Sequence, residues 1–389
     1  MKEKKFNIID YITMRGDLSF EQSEFNCVDA LILSQISYNN VEGLVSSGFT
    51  SKITLEQLAN SFENDRDFEK RSNMGAMINT LTPVLLQKAG KSRRFGQVKV
   101  CGFINRIDYV NIEQFSALTY EIEKNSYVVA FRGTDDTIVG WYEDFNLGHM
   151  AEVPAQKDAV AYIKEAMDTL KGQFIVTGHS KGGNLSVKAG MSVEKKAQKR
   201  LQTVYNFDGP GFFKEVYQTP EFLQIKDKLK AFFPEFCIVG MMFEHSPSYS
   251  IVACDAEGIL QHDPFTWNVT GPCFALAEKL DEASRIFYSS FNDWTQRLSA
   301  EERKRFVDTF FSVINASGVT TNYQIEQNML GCGTKMLAKL AELKEEDRKA
   351  FMTAIKMLIK AAKDNIPMFN VFDPKELLAP KEVFKKLRI

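Results

Sequence analysis

Histidine is scarce in this chain, with four residues among 389: His149, His179, His245 and His262. A reaction that uses an imidazole base must therefore draw on one of these four. The six cysteines form no C-x-x-C pair and no regular framework, which favours reduced, mostly buried thiols. The same scatter gives no support to a metal site built from Cys and His ligands.

The chain also lacks a strong charge bias and a long apolar run. Its net charge is −2 and its basic residues form no single block, which argues against a nucleic-acid partner. No window approaches 18 uninterrupted apolar residues, so we expect no transmembrane span. Asp10 and Arg15 interrupt the N-terminal segment, which indicates no signal peptide and predicts a cytoplasmic protein.

The hydrophobic period changes twice along the chain and divides it into three regions. Residues 1–95 read as a helical lead-in packed on the core, residues 96–275 alternate strands with helices, and residues 276–389 read as helices alone. The alternation predicts a mostly parallel sheet flanked by helices. Predicted helices cover 28–38, 54–62, 72–89, 155–170, 181–199, 222–232, 300–316, 327–342 and 346–362. Predicted strands cover 97–104, 115–122, 126–131, 174–177, 203–207, 236–242, 249–253 and 258–267.

A G-x-S-x-G motif lies between the apolar strand at 174–177 and a helix that begins just after Ser180. This context is typical of a nucleophile elbow, a tight strand-to-helix turn with a serine at its crest. Gly178 and Gly182 would be needed because a Cβ at either position would collide with the neighbouring strand or helix. The helix start offers N–H groups and a positive dipole end to an oxyanion. The motif therefore predicts an α/β-hydrolase fold with Ser180 as nucleophile, against the alternative of a glycine-rich turn with a bystander serine.

The base must follow the nucleophile in the chain, because the order in this fold is serine, acid, histidine. His149 precedes the elbow, and His179 lies inside it, where we expect a structural role. His262, in a loop beyond the last predicted strands, is the preferred base, and His245 is the reserve. The alternative for His262 is a turn histidine bonded to Asp263.

Two carboxylates compete for the acid that orients the imidazole. Asp208 follows the strand after the elbow helix, at the carboxyl edge where open α/β sheets gather reactive groups. Glu244 stands one predicted strand later, and Asp208 could instead be a turn residue bonded to its own backbone. The sequence leaves this choice open. For the oxyanion hole, the backbone N–H of Lys181 and the loop at 133–135 are the candidate donors.

Several segments resemble known lipases. Class 3 lipases are resembled by Phe-Arg-Gly-Thr at 131–134 with Trp141 and Asp144 downstream, Gly-His-Ser-Lys-Gly-Gly at 178–183, and His262, taken together. The segments 15–20, 206–212 and 261–265 resemble more closely an uncharacterised bacterial family, placed beside those lipases and regarded as α/β-hydrolase-like. The resemblance implies Ser180 as nucleophile, Thr134 and Lys181 at the oxyanion hole and His262 as base.

Two departures from the class 3 pattern bear on the site. Those lipases usually carry leucine where this chain has Lys181, which would put a cation near the acyl site. They carry Phe-Gly-x-Pro-Arg where this chain has Phe-Asp-Gly-Pro-Gly at 207–211, which places the Asp208 carboxylate where they have none.

These observations predict a serine hydrolase that cleaves a carboxylic ester through an acyl-enzyme, with no cofactor. The expected substrate is a small-molecule or lipid ester, and a lipid ester would bring peripheral membrane contact. The alternative is a catalytically silent α/β-hydrolase-like binding or scaffold protein, with the C-terminal helices as its partner surface.

The last predicted helix carries an apolar stripe on Phe351, Ile355, Leu358 and Ile359, with Lys356, Lys360 and Lys363 opposite. Such a stripe must be covered. The hydrolase core and sister helices could cover it, or the helix could form a cap over Ser180 or a face that meets membrane or a partner when the substrate is lipid-like. We expect the C-terminal helices to form a compact layer on one side of the sheet, with part of it overhanging the site.

Overall fold

The computed structural model describes residues 5–365, with side chains as far as residue 357. Its helices are α1 (Ile8–Arg15), α2 (Cys27–Ile36), α3 (Leu55–Glu63), α4 (Phe68–Ser72), α5 (Thr82–Gly90), α6 (Ile138–Asn146), α7 (Pro154–Thr169), α8 (Lys181–Ser192), α9 (Pro220–Leu223), α10 (Glu282–Arg297), α11 (Ala300–Asn315), α12 (Asn322–Gln327), α13 (Met329–Glu342) and α14 (Glu345–Asn365). Its strands are β1 (Ile53–Thr54), β2 (Lys99–Asp108), β3 (Glu113–Glu123), β4 (Ser126–Phe131), β5 (Gln173–His179), β6 (Leu201–Phe207), β7 (Leu229–Pro234), β8 (Ser250–Val252), β9 (Val269–Thr270) and β10 (Cys273–Phe274).

The strands β1 to β8 form one sheet in chain order. Strands β4 to β8 run parallel, and β1 to β4 add antiparallel neighbours at the other end. Because parallel crossovers are right-handed, this sequential order places α7, α8 and α9 on the same face. The predicted α/β-hydrolase fold, a mostly parallel sheet flanked by helices, is confirmed.

The two faces of the sheet support separate hydrophobic clusters. Successive side chains of β4 point to opposite faces, so Val128 and Ala130 pack with the N-terminal helices while Val129 and Phe131 pack with α7 and α8. The N-terminal helices therefore cover the face that the crossover helices leave open.

The N-terminal helices are fixed by caps and by a buried ion pair. Asn26 caps α2 by accepting hydrogen bonds from the N–H groups of Val28 and Asp29. The Asp29 carboxylate also pairs with Arg94 at 2.5 Å, and neither side chain reaches solvent. This arrangement fixes α2, and Tyr38, two residues beyond that helix, reaches the elbow.

Two predicted helices are wrong. The segment predicted as one helix over 72–89 contains the last residue of α4 and all but the last residue of α5, with an irregular stretch at 73–81 between them. Gly75 has a φ of +73°, which a helix cannot accommodate, and Pro83 is suited to a first turn. The helix predicted over 222–232 ends at Leu223, and its last four residues belong to the partly buried strand β7. A short apolar run has no period that separates a strand from a helix.

Two predicted strands and one helix end also differ from the prediction. The stretch 236–242 is a loop rather than a strand, and 258–267 contains two 3₁₀ turns, Gly258–His262 and Pro264–Thr266, rather than a closing strand. The elbow helix ends at Ser192 instead of 199. The loop at 236–242 matters most, because it contacts the Asp208 carboxylate.

The C-terminal helices pack on α6. The ring of Tyr142 stacks on Phe311 with centroids 4.4 Å apart, and the Tyr142 hydroxyl donates to Asp308 at 2.8 Å. Phe351 and Ile355 pack into the same apolar cluster. The remaining stripe residues and the lysines beyond them lie outside the described side chains, namely Leu358, Ile359, Lys360 and Lys363. Among the helices that the structure describes, none is long and apolar enough to cross a membrane.

Candidate active site

The elbow at Gly178–Gly182 has the backbone that its sequence predicts. Ser180 adopts φ 58° and ψ −133°, a strained conformation for a residue with a side chain. A Cβ on Gly178 would lie 2.0 Å from the carbonyl oxygen of Gly182, and one on Gly182 would lie 2.1 Å from that of Phe131. No side chain fits at either position, so the two glycines allow β4, β5 and α8 to approach this closely.

Ser180, His262 and Asp208 form a continuous hydrogen-bonded chain. His262 Nε2 lies 3.0 Å from Ser180 Oγ, and His262 Nδ1 lies 2.6 Å from Asp208 Oδ2. The Asp208 side chain is buried, whereas 28 % of the His262 side chain is exposed. Asp208 also has a positive φ of 50°. The order along the chain is serine, acid, histidine.

The reserve candidates lie apart from this chain. Glu244 accepts a hydrogen bond from the Tyr288 hydroxyl at 2.8 Å, so the structure pairs His262 with Asp208 and not with Glu244. His245 packs among aromatic rings, and burial lowers its pKa. The alternatives of Glu244 as acid and His245 as base are therefore not supported, because tertiary contacts engage both side chains elsewhere.

His179 supports the loop that carries His262. Its Nε2 lies 2.9 Å from the carbonyl oxygen of His262, and since a carbonyl only accepts, Nε2 must carry the hydrogen. Burial lowers the pKa of His179 well below its ordinary value, so the ring is neutral and Nδ1 accepts from the Tyr38 hydroxyl at 3.2 Å. This structural role matches the expectation for His179.

Asp263 holds the same loop from the other side. Its carboxylate accepts hydrogen bonds from Asn79 Nδ2 at 2.5 Å and from the N–H of Phe265 at 3.0 Å. Asp263 is therefore bonded to the 73–81 stretch and to its own turn, and the His262 ring is bonded to Ser180 and Asp208 instead. The alternative of a turn histidine bonded to Asp263 is not the arrangement in the structure.

The loop at 133–135 packs directly on the elbow. A Cβ on Gly133 would lie 3.0 Å from Ser180 Cβ. The next residue, Thr134, donates its hydroxyl to Asp144 Oδ2 at 2.5 Å. Burial raises the pKa of Asp144 to about 6. Lys181 begins α8, where the first N–H groups have no acceptor within the helix.

The Lys181 side chain does not face the acyl site. It is 1 % exposed, and its Nζ donates to the carbonyl oxygen and Oε1 of Gln114, both at 2.8 Å, and to Glu143 Oε2 at 3.0 Å. The expected cation near the substrate is thus neutralised beneath the elbow. A lysine inside an apolar elbow requires a buried carboxylate, and the adjacent acids Glu143 and Asp144 in an otherwise apolar helix were the signal for it.

Sequence reasoning also missed the partners of the second Asp208 oxygen. Asp208 Oδ1 accepts hydrogen bonds from the Cys237 thiol at 2.8 Å and from the N–H of Gly240 at 3.1 Å. Both residues belong to the loop that was predicted as a strand, and no local pattern in the sequence marks them.

A cavity of about 330 Å³ adjoins the loop that carries Thr134. Its lining mixes charges of both signs, including Arg132, Asp135 and Lys70, with the rings of Tyr38 and Tyr323. Ser180 is not among its lining residues. Within the part of the chain that the structure describes, no group of three or more His, Cys, Asp or Glu residues could hold a metal ion.

Comparisons with known proteins relate the chain to a family and to a solved structure of low identity. The sequence model of the Mbeg1-like family matches residues 89–312, more than half of the 389-residue chain. A crystal structure of M37 lipase is 14 % identical over 56 % of this chain and 70 % of its own, with a TM-score of 0.35. No curated protein matches the sequence.

Proposed function

The chain belongs to the Mbeg1-like family, and we propose that it is a serine hydrolase that cleaves carboxylic esters through an acyl-enzyme on Ser180. The observation that carries the proposal is the hydrogen-bonded chain from Ser180 Oγ through His262 to Asp208, with links of 3.0 and 2.6 Å. The chain begins at a serine held in a strained elbow conformation. Such strain persists only where the surrounding structure enforces it, and it clusters at functional sites.

The proposed reaction follows from these contacts. His262 Nε2 takes the Ser180 proton while Oγ bonds to the ester carbonyl carbon, and the carbonyl oxygen becomes an oxyanion. The backbone N–H of Lys181 and Thr134 bind that oxyanion. Asp208 keeps Nδ1 protonated and stabilises the imidazolium. His262 then gives the proton to the leaving alcohol, and a water molecule, activated in the same way, releases the acid.

An acyl chain is the substrate feature that the surroundings of His262 favour. Ile259 and Leu260 lie three and two residues before His262, in the same 3₁₀ turn, and are 60 % and 67 % exposed. Two large apolar side chains in solvent beside a reactive group favour an apolar ligand. We therefore propose a lipid ester or a small acyl ester as substrate, with peripheral membrane contact if the ester is a lipid.

Labelling by a fluorophosphonate probe tests the nucleophile. Native protein should take up one label at Ser180, located by peptide mass spectrometry, and Ser180→Ala should take up none. Ser192→Ala is the matched control, because Ser192 lies on the same helix and bonds only the carbonyl oxygen of Ala189. An unlabelled native protein, beside a labelled reference hydrolase in the same tube, would favour the silent binding or scaffold protein.

The kcat/KM for hydrolysis of a p-nitrophenyl ester tests which carboxylate is the acid of the triad. A series of esters of increasing acyl length also tests the preference for an acyl chain. Asp208→Asn should lower kcat/KM by about 10³- to 10⁴-fold, because the imidazole loses its tautomer and its counter-charge. Glu244→Gln is the matched control and should stay within about twofold, since Glu244 bonds Tyr288. The reverse pattern would assign the acid to Glu244.

A further inference from the structure

Asp208 uses its two oxygens for different partners. Oδ2 faces His262, whereas Oδ1 accepts the Cys237 thiol and the Gly240 N–H. The carboxylate is buried, so each of these bonds forms away from solvent. The hydrogen bonds to Oδ1 limit the rotation of the carboxylate and so keep Oδ2 directed at the imidazole.

Cys237 is a thiol rather than a thiolate in this setting. It is fully buried, and it packs in an apolar cluster with Ala231, Phe233 and Met241. Burial, reinforced by the nearby Asp208 charge, raises the pKa of Cys237 well above its ordinary value. The Cys237–Asp208 contact is therefore a neutral S–H donor on a carboxylate.

The first turn of α10 holds Cys237 in place. The Cys237 N–H donates to Ser284 Oγ at 2.8 Å, and Ser284 Oγ in turn donates to the carbonyl oxygen of Glu235 at 3.3 Å. Ser284 is fully buried. A continuous series of hydrogen bonds thus runs from α10 to Cys237, Asp208, His262 and Ser180.

We propose that Cys237 is a positioning residue for the Ser180 reaction, whose thiol orients Asp208 and leaves most of the carboxylate charge available to His262. The expected effect of Cys237 on catalysis rests on the proposed function. Its expected effect on the His262 titration rests only on the hydrogen bonds described above. A thiol is a weak donor, so it fixes Oδ1 while withdrawing little charge from Oδ2.

The order of donor strength predicts an order of effects on His262. A stronger donor on Oδ1 stabilises the carboxylate by itself, so the imidazolium gains less from Asp208 and the midpoint pH of its titration falls. Without a donor the midpoint rises. The other titratable groups facing the pair are Cys254 towards Asp208, and His179 and Asp263 towards His262. These groups stay unchanged in the variants.

NMR titration of histidine-labelled full-length protein measures this midpoint whether or not the protein turns over an ester. The His262 signal is assigned by its loss in His262→Gln. Cys237→Ala should raise the midpoint by about 0.5 pH unit, from the loss of one hydrogen bond. Cys237→Ser should lower it, because a hydroxyl is the stronger donor. Ser284→Ala should also raise the midpoint, but by less than Cys237→Ala does.

Cys101→Ala is the matched control, because Cys101 is equally buried and lies on β2, four strands from β6 in the sheet order. It should leave the midpoint unchanged. In ester turnover, Cys237→Ala should lower kcat about tenfold with little change in KM, and Cys237→Ser should restore it.

The outcomes separate the two proposals. Suppose that the His262 midpoint is higher in Cys237→Ala than in native protein and lower in Cys237→Ser, while the protein neither takes up the fluorophosphonate label nor hydrolyses an ester. This result would support the positioning of Asp208 by Cys237 and contradict the proposed hydrolase function. A protein that turns over esters but shows the same midpoint in both Cys237 variants as in Cys101→Ala overturns the inference. If Cys237→Ala does not fold, the serine variant alone decides by the direction of its shift.

Discussion

At the residue scale, the Lys181–Glu143 pair is the most costly feature of the site. Both side chains are almost fully buried, at 1 % and 0 % exposure. Glu143 also accepts from the N–H groups of Gln114 and Ala155, so the carboxylate is bonded on both oxygens. The pair therefore joins the elbow to β3, α6 and the start of α7. Buried pairs of this kind repay their desolvation only while both partners are present.

Removing both partners should cost less than the sum of the two single removals. Lys181→Met leaves Glu143 as an uncompensated buried charge and should lower the free energy of unfolding by about 3 to 5 kcal/mol. The double variant Lys181→Met with Glu143→Gln should lose less than the sum of the two single losses, as measured by urea unfolding. Strictly additive losses would show that the two groups do not interact.

Asp144 makes the stability of the protein depend on pH in an unusual direction. Its Oδ1 is buried without a hydrogen-bond donor, 3.8 Å from Lys181 Nζ, and burial raises its pKa from 3.8 to about 6. Between these two values the unfolded chain is ionised at this position while the folded protein is protonated. Unfolding then releases a proton, so the contribution of Asp144 to stability falls as pH rises through this window.

Asp144→Asn should remove this dependence. From pH 4.5 to pH 7 the native protein should lose about 2 kcal/mol of unfolding free energy at this residue, and the variant should not. Urea unfolding at both pH values measures the free energy of unfolding of Asp144→Asn minus that of the native protein. This difference should be about 2 kcal/mol more positive at pH 7 than at pH 4.5. A shift of the opposite sign would mean that Asp144 is ionised and stabilising at pH 4.5.

At the scale of elements, the elbow depends on contacts between backbones. Gly182→Ala would place a Cβ 2.1 Å from the Phe131 carbonyl oxygen, and a backbone atom cannot rotate away. We expect a loss of more than about 3 kcal/mol in unfolding free energy, or no soluble protein. Gly333→Ala on α13 is the control, because nothing lies within 4 Å of its added Cβ. It should gain up to about 1 kcal/mol from helix propensity. A Gly182→Ala protein as stable as native would contradict the close packing of β4 on α8.

The same elements show what the sequence could predict. The elbow was predictable because glycine spacing, an apolar strand and a helix start all lie within one local stretch. The choice between Asp208 and Glu244 was not, because it depends on a loop at 236–242 whose partners, Ser284 among them, come from distant parts of the chain. Strand β7 was missed for a related reason. Its short apolar run fits a strand or a helix equally well until β6 and β8 flank it.

At the scale of the whole molecule, α6 lies between the site and the C-terminal helices. On one side it carries Glu143 and Asp144, and on the other Tyr142 stacks on Phe311. The first residue of α6 is also bonded to the C-terminal region, since the N–H of Ile138 donates to the carbonyl oxygen of Thr320 at 2.9 Å. The division of the chain at 95/96 and 275/276 stays a prediction, although one apolar cluster joins the N-terminal helices to the sheet.

The contacts of the C-terminal helices predict what their removal does. A chain that ends at residue 275 loses α10 to α14, which uncovers the apolar face of α6 and leaves the Cys237 N–H without Ser284. We expect this truncated chain to be insoluble or to expose a dye-binding apolar surface, because the uncovered patch includes Tyr142 and Phe145.

Within the full-length chain, Phe311→Ala should cost about 3 to 5 kcal/mol of unfolding free energy, whereas Leu330→Ala, at a side chain that is 89 % exposed, should cost almost nothing. A soluble, monomeric 1–275 chain that labels at Ser180 at the native rate would instead assign the C-terminal helices to a detachable cap.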